Sequence, residues 1–202
     1  NVTARSVVVA NNAFAKNLGI GRSRVAAIYT YAALTDPLPR DLLRCLGSDQ
    51  AWGLLPAHRL GSTLRRTADA RLLIRSCYDY ESESDNDTVR SILADALKRR
   101  FPLLGNIHFA QVWGGATGLT LNGAPLWGEV DDNLYVSAGC NGGGVVKGTL
   151  FGSALTDFAH SRAVPDLQAL FGNASWMPPD PLRRIGFELI SRIERRRGKA
   201  EI

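Results

Sequence analysis

NLYVSAGCNGGGVVKGTLFGSALTD, residues 133–157, is the stretch around which the sequence is organised. It begins with a strand-like segment, passes through a glycine-dense turn and ends in an apolar pattern with helical spacing. Glycine lets the backbone adopt positive φ and approach a ligand, and the first amides of a helix are unpaired and partly positive. The stretch therefore predicts either a site for a phosphate or an electron-rich cofactor oxygen, or a turn that binds nothing.

The length and composition are those of a globular protein with one or two domains. The chain has 202 residues, of which 45% are hydrophobic and 21% charged, enough to bury a sizeable core. No apolar run approaches the roughly 20 residues that span a membrane, and these residues show no signal-peptide pattern, so no membrane partner is expected. Because the first residues already read as an interior strand, we expect the C-terminal part of a longer protein.

Positive charge is concentrated at the C-terminal end. The formal net charge is +5 and the isoelectric point about 9.4. The basic residues of this end are Arg183, Arg184, Arg192, Arg195, Arg196, Arg197 and Lys199. Such a segment indicates a solvated helix face, and because no recognition module accompanies it, no nucleic-acid partner is expected. A non-catalytic basic binding domain that uses this helix stays open as the alternative function.

Cysteine and histidine usage argues against a disulfide framework and a metal centre. The cysteines are Cys45, Cys77 and Cys140, and the histidines are His58, His108 and His160. An odd number of cysteines without C-x-x-C spacing favours a reducing compartment, so we expect a cytoplasmic protein. The histidines are far apart in the sequence, so no metal site is expected.

Hydrophobic periodicity predicts strands and helices in one chain. The expected strands cover 4–10 (short and buried), 25–34, three short antiparallel runs between 52 and 76, and 105–113; the expected helices cover 88–101, 144–160 and 182–197. Asn11 and Asn12 are N-cap candidates for a short helix that follows the first strand. The acidic loop 81–87 supplies N-cap candidates for the helix at 88–101.

Six segments in order resemble one known family. They are VVVANNAF (7–14), TDPL (35–38), RLLI (71–74), FP (101–102) followed by VWGG (112–115), LTLNGAP (119–125) with Gly128, and the glycine-rich stretch itself. Together they resemble the C-terminal half of FAD-dependent amine and amino-acid oxidases. This is the D-amino-acid oxidase family, with its glycine-oxidase-, sarcosine-oxidase- and glutamylputrescine-oxidase-like members.

The resemblance implies an α+β fold, an α/β remnant of the FAD domain plus the antiparallel-rich mixed sheet of a substrate domain. Residues 1–19 would be the returning strand and helix of the FAD domain, 20–109 the substrate sheet, and 110–202 the C-terminal FAD-side segment. The family's G-x-G-x-x-G fingerprint does not occur in these 202 residues. A missing N-terminal FAD-binding segment is therefore the expected partner, and the chain alone is expected to be incomplete and inactive.

The resemblance also implies a reaction, oxidation of the C–N bond of a small amine or amino acid to an imine by FAD. Backbone amides of the glycine-rich loop would stabilise the negative charge of the reduced flavin. The implied cofactor-binding residues are Cys140, Asn141, Gly142, Gly143, Gly144, Val145, Val146, Trp113, Gly114, Ala10 and Asn11. The implied substrate contacts are Trp113, Tyr29 and Tyr31, for which packing in the core is the alternative. No catalytic residue is assigned.

Departures from the family pattern refine these expectations. Relatives of the sarcosine-oxidase type attach flavin through a cysteine near the position of Trp113, and no cysteine stands there, so FAD is expected to be non-covalent. Relatives of the glycine-oxidase type bind the substrate carboxylate with an arginine at the position of Thr117. Its absence favours an amine, or an amino acid held in another way. Lys147 is either close to the flavin or a surface lysine.

Overall fold

The computed structural model describes residues 1–199 and 201, which form two sheets with helices packed against them. In chain order the elements are β1 (Val7–Val9), β2 (Ala26–Thr35), α1 (Arg40–Arg44), β3 (Trp52–Leu54), β4 (Thr63–Arg66), β5 (Leu72–Tyr80), α2 (Asn86–Arg100), β6 (Phe109–Leu119), β7 (Leu126–Asp131), β8 (Leu134–Ala138), α3 (Gly144–Ala159), α4 (Leu167–Phe171) and α5 (Leu182–Arg197). Short 3-10 helices cover Asn12–Leu18 and Pro102–Leu104. The α+β class is as predicted, whereas β7 was not among the expected strands.

The chain divides into two compact units. Unit 1 comprises residues 1–28 and 116–183, and unit 2 comprises residues 29–115 together with the chain from Arg184 onward. Each unit has its own buried cluster of apolar side chains. The predicted division at 1–19, 20–109 and 110–202 stays a prediction.

Unit 1 is built on a three-stranded mixed sheet in the order β1-β8-β7. β1 runs parallel to β8, with Val7 opposite Leu134 and Val9 opposite Val136, and β7 is antiparallel to β8. Buried Phe151 and Leu155 lie on α3, and the Trp127 indole donates to the Phe151 carbonyl at 2.9 Å. The parallel pair matters for function because both strands end at the same edge of the sheet.

The expectation that the first strand is buried was wrong. Val7 and Val8 are half-exposed, and only Val9 is buried. The reason is that β1 is an edge strand, paired within the described residues with β8 alone. Asn11 does stand at the N-cap of the 3-10 helix Asn12–Leu18, as expected, but its side chain makes no capping hydrogen bond.

Unit 2 carries most of a five-stranded sheet in the order β3-β4-β5-β2-β6. β3, β4 and β5 pair antiparallel, and the β4–β5 turn is closed by the Thr67 amide, which donates to the Arg71 carbonyl at 2.9 Å. The β-branched and leucine-rich runs thus form the antiparallel sheet that the sequence predicts. α2 adds the buried side chains of Val89, Leu93 and Leu97 to the core.

Asp85 caps α2, as the acidic loop predicts. Its carboxylate accepts from the amides of Thr88 at 2.9 Å and Asp87 at 3.1 Å, and from the Thr88 hydroxyl at 2.7 Å. These hydrogen bonds favour the ionised form and lower the pKa of Asp85. We expect the Asp85→Ala variant to melt about 2–4 °C lower at neutral pH, measured by circular dichroism.

The pH dependence of that difference provides the control. Because the pKa of Asp85 is lower in the folded state, its contribution is complete above the unfolded value of about 4 and disappears as the pH falls through the folded value. The difference in melting temperature between wild type and Asp85→Ala should therefore become smaller at acidic pH. The Asp85→Asn variant keeps a side-chain acceptor, so its melting temperature should fall less than that of Asp85→Ala. A difference in melting temperature that grows on acidification contradicts the capping role of Asp85.

Three further findings concern the described residues only. All three cysteines are free. No group of three histidine, cysteine or acidic side chains in this part of the chain is arranged to hold a metal ion. None of its helices is long and apolar enough to cross a bilayer.

Candidate functional site

The glycine-rich loop lies at the carboxyl edge of the parallel pair β1 and β8. β1 is followed by Ala10, Asn11 and Asn12, and β8 is followed by residues 139–143, which lead into α3. In open α/β sheets, ligands bind outside the carboxyl ends of parallel strands. The sequence-predicted residues of unit 1 are therefore brought to one edge of one sheet.

Asn12 fixes the shape of this loop. Its side-chain oxygen accepts from the Gly139 amide at 3.0 Å and from the Cys140 amide at 3.2 Å, and its Nδ2 donates to Cys140 Sγ at 3.2 Å. Its own φ of +50° is one that asparagine tolerates better than most residues. The sequence pattern indicated only a helix-capping role for Asn12. Its position directly after a strand that ends beside the loop was the signal that could have revealed this role.

Asn141 ties the loop to the turn between β6 and β7. Its side-chain oxygen accepts from the Thr120 amide at 2.8 Å, and its Nδ2 donates to the carbonyls of Gly123 at 3.0 Å and Gly139 at 2.7 Å. The Asn141 side chain is thus occupied with positioning the loop, and the predicted cofactor contact concerns the backbone amides of this loop. The backbone of Asn141 remains part of the candidate site.

The amides at the start of α3 form the polar centre of the site. Gly143 is the N-cap, and the first hydrogen bond along the helix runs from the Lys147 amide to the Gly143 carbonyl at 2.9 Å. The amides of Gly144, Val145 and Val146 consequently have no acceptor within the helix. Val145 is 87% exposed, so its side chain is not packed against other described residues of this helix end. Three adjacent donors at a helix N-terminus suit an electron-rich oxygen.

A cleft of about 190 Å³ runs between this edge and the first half of α3. It is lined by Val8, Ala10, Asn12, Ser137, Ala138, Cys140, Gly144, Lys147, Gly148, Phe151, Gly152 and Leu155. It is smaller than the roughly 300–1,000 Å³ of typical ligand pockets, so it fits one end of a large cofactor and not the whole. The Lys147 side chain folds back over Gly143. A Cβ built on Gly143 would lie 3.6 Å from both Cδ and Cε of Lys147.

The remaining predicted residues belong to unit 2. Trp113 is 43% exposed on β6, and Tyr29 is partly buried against the core of this unit. Tyr31 is only 1% exposed, and its hydroxyl donates to Asp79 Oδ2 at 2.7 Å and accepts from the Ser84 amide at 2.7 Å. Burial, together with the bond to Asp79, raises the pKa of Tyr31 to about 12. The Tyr31 hydroxyl is therefore neutral at pH 7, and both of its hydrogen bonds are made within the core of unit 2. Its predicted contact with substrate stays a prediction.

Gly114 is packed against Tyr31. A Cβ at Gly114 would lie 2.9 Å from Tyr31 Cε1 and 2.5 Å from Glu83 Oε1, whereas one at Gly115 would meet nothing within 4 Å. The Tyr31 ring cannot move aside easily, because it is buried and its hydroxyl is held at both sides. Packing against Tyr31 is thus sufficient by itself to require a glycine at position 114.

We expect Gly114→Ala to destabilise the protein by about 1–3 kcal/mol through this overlap. Gly115→Ala is the matched control and should stay within about 0.5 kcal/mol of wild type. Urea unfolding followed by circular dichroism measures both. Equal free energies of unfolding for the two variants would show that Tyr31 and Glu83 leave room for a methyl group at position 114.

Comparison with known proteins adds three findings. The model of a family described as "FAD dependent oxidoreductase" (DAO) matches residues 1–158. Gamma-glutamylputrescine oxidoreductase of Escherichia coli is 30% identical over 164 residues, which cover 80% of this chain and 38% of that protein. Probable oxidoreductase OrdL of Haemophilus influenzae is 26% identical over 162 residues, which cover 77% of this chain and 36% of that protein. The chain thus spans less than half the length of these relatives.

Solved structures agree on the fold. Glycine oxidase from Geobacillus kaustophilus superposes with a TM-score of 0.65 at 19% identity, over 88% of this chain and 47% of that one. Iminodiacetate oxidase from Chelativorans sp. BNC1 gives a TM-score of 0.63 at 16% identity, over 85% and 47%. The family match covers more than half of the chain, so the predicted family and the predicted fold class are both confirmed.

Proposed function

The chain belongs to the family of FAD-dependent oxidoreductases, and on that premise we propose that it is part of an enzyme that oxidises the C–N bond of a small amine or amino acid to an imine. The observation that carries the proposal is the group of three helix-start amides at the carboxyl edge of β1 and β8. FAD, when bound, supplies the chemistry by accepting a hydride equivalent from the carbon next to the substrate nitrogen. Everything else that the protein contributes is position and electrostatics.

The residues of unit 1 fit one end of this cofactor. The amides of Gly144, Val145 and Val146 are donors for the oxygen and nitrogen atoms on which negative charge collects in the reduced form. Ala10 and Asn11 lie at the same edge, and Asn12 and Asn141 hold the loop in shape. The cleft of about 190 Å³ leaves the rest of FAD to other residues. An N-terminal FAD-binding segment is therefore proposed as the partner of this chain.

Further parts of the proposal concern attachment, substrate and location. FAD is held without a covalent bond, since no cysteine lies on β6. Thr117 stands at the position where an arginine would bind an α-carboxylate, which favours an amine or an amino acid bound in another way. Three free cysteines, one of them exposed, fit a cytoplasmic location. Trp113, Gly114, Tyr29 and Tyr31 remain the proposed unit 2 contacts.

The visible spectrum of the purified full-length protein tests the proposal. We expect flavin absorbance that is bleached by an amine or amino acid in the absence of oxygen. Acid precipitation should release all of the flavin into the supernatant. Flavin that stays with the precipitated protein contradicts non-covalent attachment, and a protein that remains colourless when FAD is added contradicts the function.

A further inference from the structure

A pocket of about 310 Å³ lies between the polar side of α5 and the end of β5 with the loop that follows it. Every residue that lines it belongs to unit 2, so both of its walls are formed by described residues of one unit. The lining residues of α5 are spaced three or four apart and therefore share one side of the helix, for example Glu188, Ser191 and Arg195. The volume is at the lower end of the roughly 300–1,000 Å³ of pockets that hold small molecules.

Ser191 brings to this pocket a hydroxyl whose hydrogen-bonding partner is missing among the described residues. The residue is only 9% exposed, and it forms no hydrogen bond with another described residue. The hydroxyls of Thr149 and Thr156 on α3, in contrast, donate to the carbonyls four residues before them at 2.8 and 3.0 Å. A hydroxyl that loses its water on burial normally gains a hydrogen bond in exchange. Because Ser191 lines the pocket, a bound ligand can supply the missing acceptor.

Arg192 and Arg195 bring positive charge to the same wall. Neither forms an ion pair with another described residue. The nearby Glu194 is already engaged, with its carboxylate 3.1 Å from His58 Nε2 and 3.6 Å from the Arg197 guanidinium. Two guanidinium groups beside an unpartnered hydroxyl indicate a site for an oxyanion, because guanidinium groups bind carboxylate and phosphate oxygens through charge-assisted hydrogen bonds.

The acidic lining groups select among oxyanions. Two carboxylates line the pocket, those of Asp79 and Glu188, so its three arginines outnumber its acids by one. Asp79 is fixed in place, because its Oδ2 accepts from the hydroxyls of Tyr31 at 2.7 Å and Ser84 at 2.6 Å. A single negative charge therefore balances the pocket, as a carboxylate provides, whereas the second charge of a phosphate is repelled by the two acids.

The pocket also offers aromatic surface. The ring centroid of Phe187 lies 5.4 Å from that of Tyr80, and the guanidinium carbon of Arg184 lies 5.5 Å from the centre of the Tyr80 ring. Both rings line the pocket. A ligand with an apolar chain next to its carboxylate can therefore place that chain against them.

We propose that this pocket binds a small organic carboxylate. The carboxylate oxygens accept hydrogen bonds from the Ser191 hydroxyl and from the guanidinium groups of Arg192 and Arg195, and the apolar part of the ligand contacts Tyr80 and Phe187. This assignment does not rest on the proposed oxidation of an amine.

The N-terminal segment proposed as the partner of this chain is the competing occupant. It can cover the mouth of the pocket, but the walls and the burial of Ser191 come from the described residues themselves. To satisfy the arginines it would have to insert an acidic side chain, and one such side chain leaves most of a pocket of this volume unfilled. A segment seated there would exclude free carboxylates, so competition in the full-length protein separates the two occupants.

Arginine modification by phenylglyoxal, mapped by mass spectrometry, tests the site in the full-length protein. Pentanoate at about ten times its dissociation constant should slow the modification of Arg192 and Arg195 about tenfold. Arg196, which lies on the same helix and is not among the residues that line the pocket, should react at an unchanged rate. Pentylamine, with an amine in place of the carboxylate, should protect neither arginine. Half-protection by inorganic phosphate should need about tenfold more than pentanoate.

The Ser191→Ala variant separates ligand binding from packing. Loss of one neutral hydrogen bond should raise the half-protecting concentration of pentanoate about fivefold. Without ligand, the melting temperature should be unchanged or higher, because the hydroxyl has no described partner to lose. Ser153→Ala, at an exposed position of α3, is the matched control and should leave the protection unchanged.

The proposal is overturned if pentanoate protects neither arginine, if pentylamine protects them equally, or if phosphate binds as tightly as pentanoate. Arginines that resist phenylglyoxal before any pentanoate is added also overturn it, and assign the pocket to another segment of the protein. A Ser191→Ala variant with undiminished affinity for pentanoate, or with a lower melting temperature, contradicts the proposed role of the hydroxyl and with it the site.

Discussion

Replacing Val145 by proline is expected to slow amine oxidation by the full-length enzyme about 100-fold. Val145 is the second residue of α3, and its amide is one of the three donors at the helix start. Proline removes this N–H, yet the first turn of a helix tolerates proline because its amides have no helical acceptor. Loss of one donor to developing negative charge typically costs 10²–10³ in kcat. Steady-state kinetics with a substrate that bleaches the flavin measure the effect.

Val145→Ala is the control for this variant. It removes an 87% exposed side chain and keeps the amide, so its kcat should match that of wild type. The helix content and melting temperature of both variants should stay close to those of wild type. If the alanine variant is as slow as the proline variant, the side chain and not the amide is responsible. If neither is slow, this amide does not act on the flavin.

Replacing Asn12 by leucine is expected to abolish flavin retention and to destabilise the full-length protein. The substitution leaves the amides of Gly139 and Cys140 without their acceptor, at about 1–3 kcal/mol each. It also places a branched side chain at a φ of +50°, which costs roughly 1–2 kcal/mol. The total of about 3–8 kcal/mol should appear as a lower melting temperature. The flavin-to-protein ratio after gel filtration reports the loss of the loop shape.

Two variants isolate this effect. Asn12→Asp keeps an acceptor for both amides and should retain most of the stability. Asn17→Leu makes the same chemical change at an exposed position of the same 3-10 helix, and should shift stability by no more than about 0.5 kcal/mol. An Asn12→Leu protein that keeps both its flavin and its melting temperature contradicts the anchoring role.

Much of the fold was predictable because the sequence patterns are local. The turn at 67–71, the helix that begins after Asp85 and the glycine turn before α3 each follow from residue types within a few positions. β7 was missed because its strand propensity is interrupted by Gly128 and by acidic residues. The exposure of Val7 and Val8 was also missed, because β-branched residues predict a strand and do not show whether a second strand pairs with it.

The candidate site was predictable in its backbone and not in its side chains. Glycines and a following apolar helix indicate where unpaired amides lie, and the structure places the amides of 144–146 there. The roles of Asn12 and Asn141 depend on contacts 127 and 21 residues away along the chain, which no local pattern reveals. The same holds for Tyr31, whose strand position fits core and site equally. Its burial and its bond to Asp79 show that it packs in the core, and its contact with substrate stays a prediction.

The two-electron reduction potential of FAD in the full-length protein tests the central claim most directly, namely that the amides of residues 144–146 stabilise the negative charge of the reduced cofactor. A hydrogen bond to a charged group contributes about 1.5–3 kcal/mol, and 30 mV corresponds to about 1.4 kcal/mol for two electrons. We therefore predict a potential about 40 mV lower in Val145→Pro than in wild type, with Val145→Ala unchanged. Equal potentials in all three proteins, each with its full complement of FAD, would contradict the claim.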